Sequence, residues 1–83
     1  MKMNAVEQVR TWPDAVEAIP ELAVLEREAK LEGWLKDKGK PSRLSRWHNE
    51  FKPKLVALVP PGTAVYDIAY FWLKAWFFGE KVG

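Results

Sequence analysis

Apolar residues recur at helical spacing through most of this chain, and capping residues and prolines divide the pattern into short segments. The segments predicted as helices are 4–10, 12–18, 20–36, 43–51, 54–59 and 64–78. Asn4 and Thr11 stand where helix N-caps are expected, while Thr63 and Gly79 are placed to begin and end the last helix. Periodicity alone fits 54–59 to a buried strand as well as to a helix, and helix is favoured because the chain offers no second strand.

The third predicted helix carries apolar side chains on two nearly opposite sides. One side includes the small residues Ala29 and Gly33, and the other includes Val24, Leu31 and Leu35. A helix with two apolar strips is usually packed between two neighbours, and small residues allow one of them to approach closely. We therefore expect this helix to be buried on both sides.

The predicted helix 43–51 has one apolar and one polar face. Leu44, Trp47 and Phe51 share the apolar face, with His48 at its edge. Pro53 should then interrupt the chain before the next short segment begins. The side chains expected to point into solvent from this helix are Arg43, Arg46, Asn49 and Glu50.

Aromatic residues concentrate near the C-terminus, where seven of the eleven in the chain lie within 66–78. One helix of an 83-residue chain cannot easily bury that much aromatic surface, so 64–78 either organises the fold or contacts another molecule. Both interpretations stay open, and they overlap if only the C-terminal end is exposed. The prediction is an all-α fold, a single domain over 1–83 in which four to six short helices form a compact bundle around 64–78.

Composition places the chain among small globular proteins, with 48% apolar and 29% charged residues and a net charge of +2. The absence of cysteine excludes disulfides and thiolate chemistry and fits a reducing, cytoplasmic compartment. The N-terminal residues lack the apolar core of a signal peptide, and Met1 favours a complete small gene product. The apolar run 64–78 would extend about 22 Å as a helix, less than the roughly 30 Å of a bilayer core, so no membrane span is expected.

Few residues of this chain are suited to catalysis. His48 is the single histidine, and the serines stand in no recognisable nucleophile context. The glycines fit no phosphate-binding pattern, and no metal-ligand spacing is present. We therefore expect a protein that is not an enzyme and uses neither a metal nor a cofactor.

Positive charge is concentrated in 36–54, which holds seven basic and two acidic residues, whereas 1–35 holds four basic and seven acidic. A turn followed by a helix with exposed basic and amide side chains resembles a helix-turn-helix in outline. The connection from Asp37 to Ser42 is longer than that motif allows, and the preceding helix is acidic, so an ordinary solvated face is preferred. The residues that would contact nucleic acid are Lys38, Lys40, Arg43, Arg46 and Asn49.

The function expected from these features is binding to another protein, with some self-association as a homodimer. In size and composition alone, the chain is similar to the accessory proteins by which bacteriophages bind and inhibit host machinery. The alternative is a small nucleic-acid-binding regulator that uses the basic segment. The residues predicted to contact a protein partner are Arg43, Arg46, Trp72, Trp76 and Phe78.

Overall fold

A computed structural model describes residues 9–35 and 43–79, and within these two ranges the chain is helical with no β-strand. The helices are α1 (Trp12–Ala18), α2 (Leu22–Leu35), α3 (Arg43–Arg46), α4 (Lys52–Leu58) and α5 (Ala64–Phe77), with a π-helical turn at Trp47–Phe51 between α3 and α4. The all-α class is therefore confirmed. The predicted helix 4–10 lies mostly outside the described residues, and its last two positions, Val9 and Arg10, are not helical.

The helix ends follow the capping residues of the sequence. The Thr11 hydroxyl accepts a hydrogen bond from the Asp14 backbone N–H at 3.4 Å, and the Thr63 hydroxyl accepts one from Tyr66 at 3.2 Å. Gly79 follows α5 with a φ of 74°, a left-handed conformation that glycine adopts without strain. Side-chain caps of this kind stabilise a helix by about 1 kcal/mol, so local sequence fixes where α1 and α5 begin.

Helical structure continues without a break from 43 to 58, although Pro53 lies within it. The predicted interruption at this proline is wrong. Proline lacks a backbone N–H, and in a regular α-helix its ring crowds the carbonyl four residues earlier. The wider π turn at Trp47–Phe51, in which the Lys52 N–H donates to the Trp47 carbonyl, ends just before Pro53 and places it in the first turn of α4. The ambiguous segment 54–59 is thus helical as far as Leu58.

The C-terminal helix α5 occupies the middle of the molecule and packs against α1, α2 and α4. Its buried side chains meet those of the other helices in one apolar core. The largest fully buried side chains are those of Trp47, Phe77, Leu22, Leu55, Leu73, Val59 and Val65. No helix within the described ranges is long and apolar enough to cross a membrane.

The two apolar sides of α2 differ in how far they are buried. Ala29 is fully buried, and Gly33 lies against the Trp76 carbonyl oxygen and the backbone of Gly79, which confirms the expected close approach. On the other side Leu31 is 52% exposed and Val24 is 46% exposed, so the expected burial of this side is wrong. The reason is tertiary, since α4 packs on α5 instead of covering this side of α2.

Candidate interaction surfaces

Trp47 is the centre of an aromatic cluster that joins helix 43–58 to α5. Its ring centroid lies 5.3 Å from those of Phe51 and Phe77, 5.5 Å from that of Tyr70 and 6.1 Å from that of Phe78. Edge-to-face and stacked pairs at these distances add to the free energy gained from burial. Much of the C-terminal aromatic run therefore organises the fold.

The three aromatic residues predicted to contact a partner are partly buried and already have contacts inside the molecule. Trp72 stacks on Trp12 with ring centroids 5.6 Å apart, and its indole N–H donates to Glu26 Oε2 at 2.7 Å. The Trp76 ring lies under the Lys30 ammonium group, 4.6 Å from the ring centroid. Phe78 packs against Trp47 and Phe77. Each of these side chains thus has a structural role.

The predicted basic face is partly used in the same way. Arg46 Nη2 lies 3.0 Å from Glu32 Oε1 of α2, and the arginine side chain is only 17% exposed. Arg43 is half-buried, and Asn49 is exposed and donates to the Ser45 hydroxyl at 3.1 Å. The expectation that Arg43 and Arg46 point fully into solvent is wrong, because α2 places the Glu32 carboxylate beside Arg46 and the Arg43 guanidinium lies close to Gly79. Lys38 and Lys40 lie outside the described residues.

The most exposed large apolar side chain among the described residues is Trp34, at 78%. It lies one helical turn from Leu31, and Val24 stands two turns before Leu31 on the same broad face of α2. We call Val24, Leu31 and Trp34 the α2 outer face. Apolar residues grouped on one exposed face are typical of contact surfaces, whereas single exposed ones are ordinary.

A groove of about 190 Å³ borders this face, between α2 and helix 43–58. Phe51 and Phe77 are among its lining residues, as is Leu31 of the α2 outer face. Two ion pairs cross it: Arg46 with Glu32 at 3.0 Å, and Lys54 with Glu28 at 3.2 Å. We call it the paired groove. Its remaining charged residue, Glu50, forms no ion pair within the described residues, so the groove keeps one negative charge.

On the side that faces Tyr70 of α5, helix 43–58 carries a lysine, Lys52. Lys52 of this helix and Lys74 of α5 place their Nζ atoms 5.8 Å and 5.6 Å from the Tyr70 ring centroid. The next residue, Phe71, is 75% exposed and lines a cavity of about 250 Å³ with Tyr70 and Lys74. We call this region the lysine groove.

The single histidine and the acidic side chains form no metal-binding group in the described parts of the chain. His48 is exposed on helix 43–58, where it lines an open cleft with Lys52, Pro53, Val56 and Ala57. Within 9–35 and 43–79 no three His, Asp or Glu side chains lie close enough to hold a metal ion. The distinctive surfaces are therefore the α2 outer face, the paired groove and the lysine groove.

Comparison with protein-family models, with curated proteins and with solved structures finds no match for this chain. The function must therefore be argued from the chain's own surfaces.

Sequence reasoning missed the two most exposed aromatic residues, Trp34 and Phe71. The helical pattern did identify an apolar strip through Val24 and Leu31, and Trp34 lies beside that strip. Phe71 stands within a run that is apolar almost all round, so no local signal separates it from its buried neighbours. Only the packing around α5 shows which aromatic residue is left outside.

Proposed function

We propose that this chain is a non-enzymatic interaction module that binds another protein through the α2 outer face and thereby inhibits or regulates it. The observation that carries the proposal is the exposure of Trp34 at 78%, one turn from the half-exposed Leu31. Tryptophan is the residue most often found among the few that dominate interface binding energies. An exposed tryptophan supported by an aliphatic neighbour is an effective anchor.

The paired groove indicates the chemistry of the partner. It lies beside Leu31, it is lined in part by phenylalanine, and it includes the carboxylate of Glu50, which pairs with no cation of the described ranges. Segment 21–35, which includes the groove residues Glu28 and Glu32, holds four glutamates and two basic residues. A complementary partner presents an apolar pocket or ridge for Trp34 and a lysine or arginine that reaches the groove.

The aromatic end and the basic face predicted from the sequence have a supporting place in this proposal. Contacts of Trp72, Trp76 and Phe78 hold α5 against its neighbours, and Arg46 holds helix 43–58 beside α2. They would then shape the binding surface more than they contact the partner. A helix-turn-helix function that depends on Arg46 is less favoured, because Glu32 neutralises that arginine. The lack of cysteine supports a reducing, cytoplasmic setting for the binding event.

Two variants with similar exposure make the test specific, because Trp34 and Phe71 are 78% and 75% exposed on different helices. Tagged wild type, Trp34→Ala and Phe71→Ala would each be incubated with nuclease-treated host lysate. We expect wild type and Phe71→Ala to retain the same partner, and Trp34→Ala to lose it by at least about tenfold in affinity. Equal retention by all three proteins, or loss only from Phe71→Ala, would contradict the proposal.

Sedimentation of the three purified proteins distinguishes a second copy of the chain from a different partner. A dimer that is lost only in Trp34→Ala would identify the partner of the α2 outer face as another copy. Monomeric behaviour in all three proteins is the result expected if the partner is a different protein.

A further inference from the structure

The lysine groove has two cations, Lys52 and Lys74, that no carboxylate of the described residues neutralises. Lys52 and Lys74 approach the same tyrosine ring, within 5.8 Å and 5.6 Å of its centroid, and neither forms an ion pair within the described residues. The tyrosine ring attracts each ammonium group through a cation–π contact but carries no net charge of its own, so both positive charges remain to attract an anion.

An exposed aromatic surface stands beside these cations. Phe71 is 75% exposed. The ring centroid of its neighbour Tyr70 lies 5.5 Å from that of Trp47 and 5.9 Å from that of Tyr66. The cavity of about 250 Å³ beside Phe71 is also lined by Lys74. A planar ring entering this space would meet a phenyl face and an ammonium group together.

Further open surface continues from Lys52 along helix 43–58. His48 and Val56, four residues before and after Lys52, line a neighbouring open cleft of about 440 Å³. The lysine therefore borders both this cleft and the tyrosine ring. A ligand longer than one nucleotide could follow helix 43–58 while remaining close to positive charge.

We infer that the lysine groove binds single-stranded nucleic acid, with a base stacked on Phe71 and phosphates close to Lys52 and Lys74. Proteins that bind single strands without sequence preference combine a positive groove with aromatic stacking surfaces. The sequence alone places only Lys74 among the aromatic residues, and the fold adds Lys52 from a different helix. This site is separate from the α2 outer face, and it uses none of the residues of the helix-turn-helix hypothesis.

The single acidic residue of α5 gives an additional check on this site. Asp67 is exposed and lies one helical turn before Phe71, where it would repel an approaching phosphate. Because only a few phosphates would be neutralised, binding should be weak and salt-dependent. For two phosphates on a single strand, log affinity should fall with log salt at a slope of about −1.4.

The experiment is fluorescence anisotropy of a labelled twelve-residue oligothymidine with the full-length chain at low salt. Lys52→Ala and Lys74→Ala should each weaken binding several-fold, and Phe71→Ala should weaken it about tenfold, within the range measured for loss of one stacked base. Phe71→Trp should retain binding, and Asp67→Asn should tighten it. Lys54→Ala is the matched control, since it removes an equal charge from the same helix but in the paired groove.

Four outcomes would overturn the inference. Equal losses in Lys52→Ala and Lys54→Ala, or unchanged binding in Phe71→Ala, would overturn it, because either result means attraction to net charge alone. Heparin has no bases, so binding to heparin as tight as to oligothymidine would also overturn it. Thymidine monophosphate competing as well as the oligonucleotide, at equal nucleotide concentration, would reject a strand in favour of a free nucleotide. Trp34→Ala should leave oligonucleotide binding unchanged, so this test and that of the protein partner can fail separately.

Discussion

The two sides of helix 43–58 differ in how their charges are balanced, although both adjoin the same aromatic cluster. On the side of α2, Arg46 and Lys54 are matched by Glu32 and Glu28. On the side of Tyr70, Lys52 and Lys74 both approach the tyrosine ring, and neither forms an ion pair with another described residue. A basic stretch of sequence is thus divided by the fold into a neutralised part and an unneutralised part, and only the latter can attract an anionic ligand strongly.

Removing the Trp47 side chain should disturb both grooves at once, because helix 43–58 and α5 pack together around it. Trp47→Ala should lower the free energy of unfolding by about 3–5 kcal/mol, since it leaves a large cavity among Phe51, Tyr70 and Phe77. For a chain of this length the total is only about 4–12 kcal/mol, so this loss removes from about a quarter to all of the stability. Urea denaturation followed by far-UV circular dichroism measures the loss.

Two controls separate this effect from a general intolerance of tryptophan loss. Trp34→Ala should change stability by less than about 0.5 kcal/mol, because the side chain is exposed. Trp47→Phe should cost less than Trp47→Ala, since it keeps a ring and removes a buried indole N–H that finds no hydrogen-bond acceptor among the described residues. A loss below about 1 kcal/mol in Trp47→Ala would mean that the cluster does not hold the fold together.

A change at Gly33 should disturb the paired groove and spare the lysine groove. A Cβ at this position would collide with the Trp76 carbonyl oxygen and lie 3.2 Å from the Gly79 nitrogen, so α2 must move away from α5. We expect Gly33→Ala to destabilise by about 1–3 kcal/mol, which outweighs the better helix propensity of alanine. Hydrogen exchange should become faster in α2 and stay unchanged in α4. Gly62, which has open space around it, supplies a control in which only the φ of 90° is strained.

The smallest expected effect tests the charge difference directly. Lys52→Glu places a carboxylate near Lys74 and should stabilise the protein by about 0.2–0.5 kcal/mol, whereas Lys54→Glu faces Glu28 and should destabilise it by a similar amount. Thermal unfolding at low salt would show opposite shifts. The difference between the two shifts in Tm should shrink in about 0.5 M salt, because the Debye length is then only a few ångströms. Shifts of the same sign in both variants would show that the two grooves are electrostatically alike.

Local features of the fold could be predicted from the sequence because they depend on neighbouring residues. Thr11, Thr63 and Gly79 mark helix ends through their own backbone and side-chain chemistry. The tight contact of α2 with α5 could be expected from Ala29 and Gly33, since small residues are needed where helix backbones approach. These predictions required no knowledge of the tertiary arrangement.

The candidate surfaces could not be predicted in the same way, because exposure depends on which helices pack together. The strip through Val24 and Leu31 was recognised, but its exposure follows from the position of α4 on α5. Arg46 was expected in solvent, and its partner Glu32 comes from a helix fourteen residues earlier. Lys52 and Lys74, twenty-two residues apart, meet at Tyr70 only in the folded chain.

The π turn at Trp47–Phe51 determines the direction in which the later side chains of helix 43–58 point. In a regular α-helix, each residue lies about 40° further around the axis than the residue four positions before it. A row of such residues therefore turns away from a neighbouring helix along its length. A π turn holds more residues per turn and rotates such a row the other way, which keeps 46, 50 and 54 facing α2 while 48, 52 and 56 face away from it. In a regular α-helix residue 54 would be rotated by about 80° from residue 46, so the π turn allows Arg46 and Lys54 to pair with Glu32 and Glu28 of the same helix.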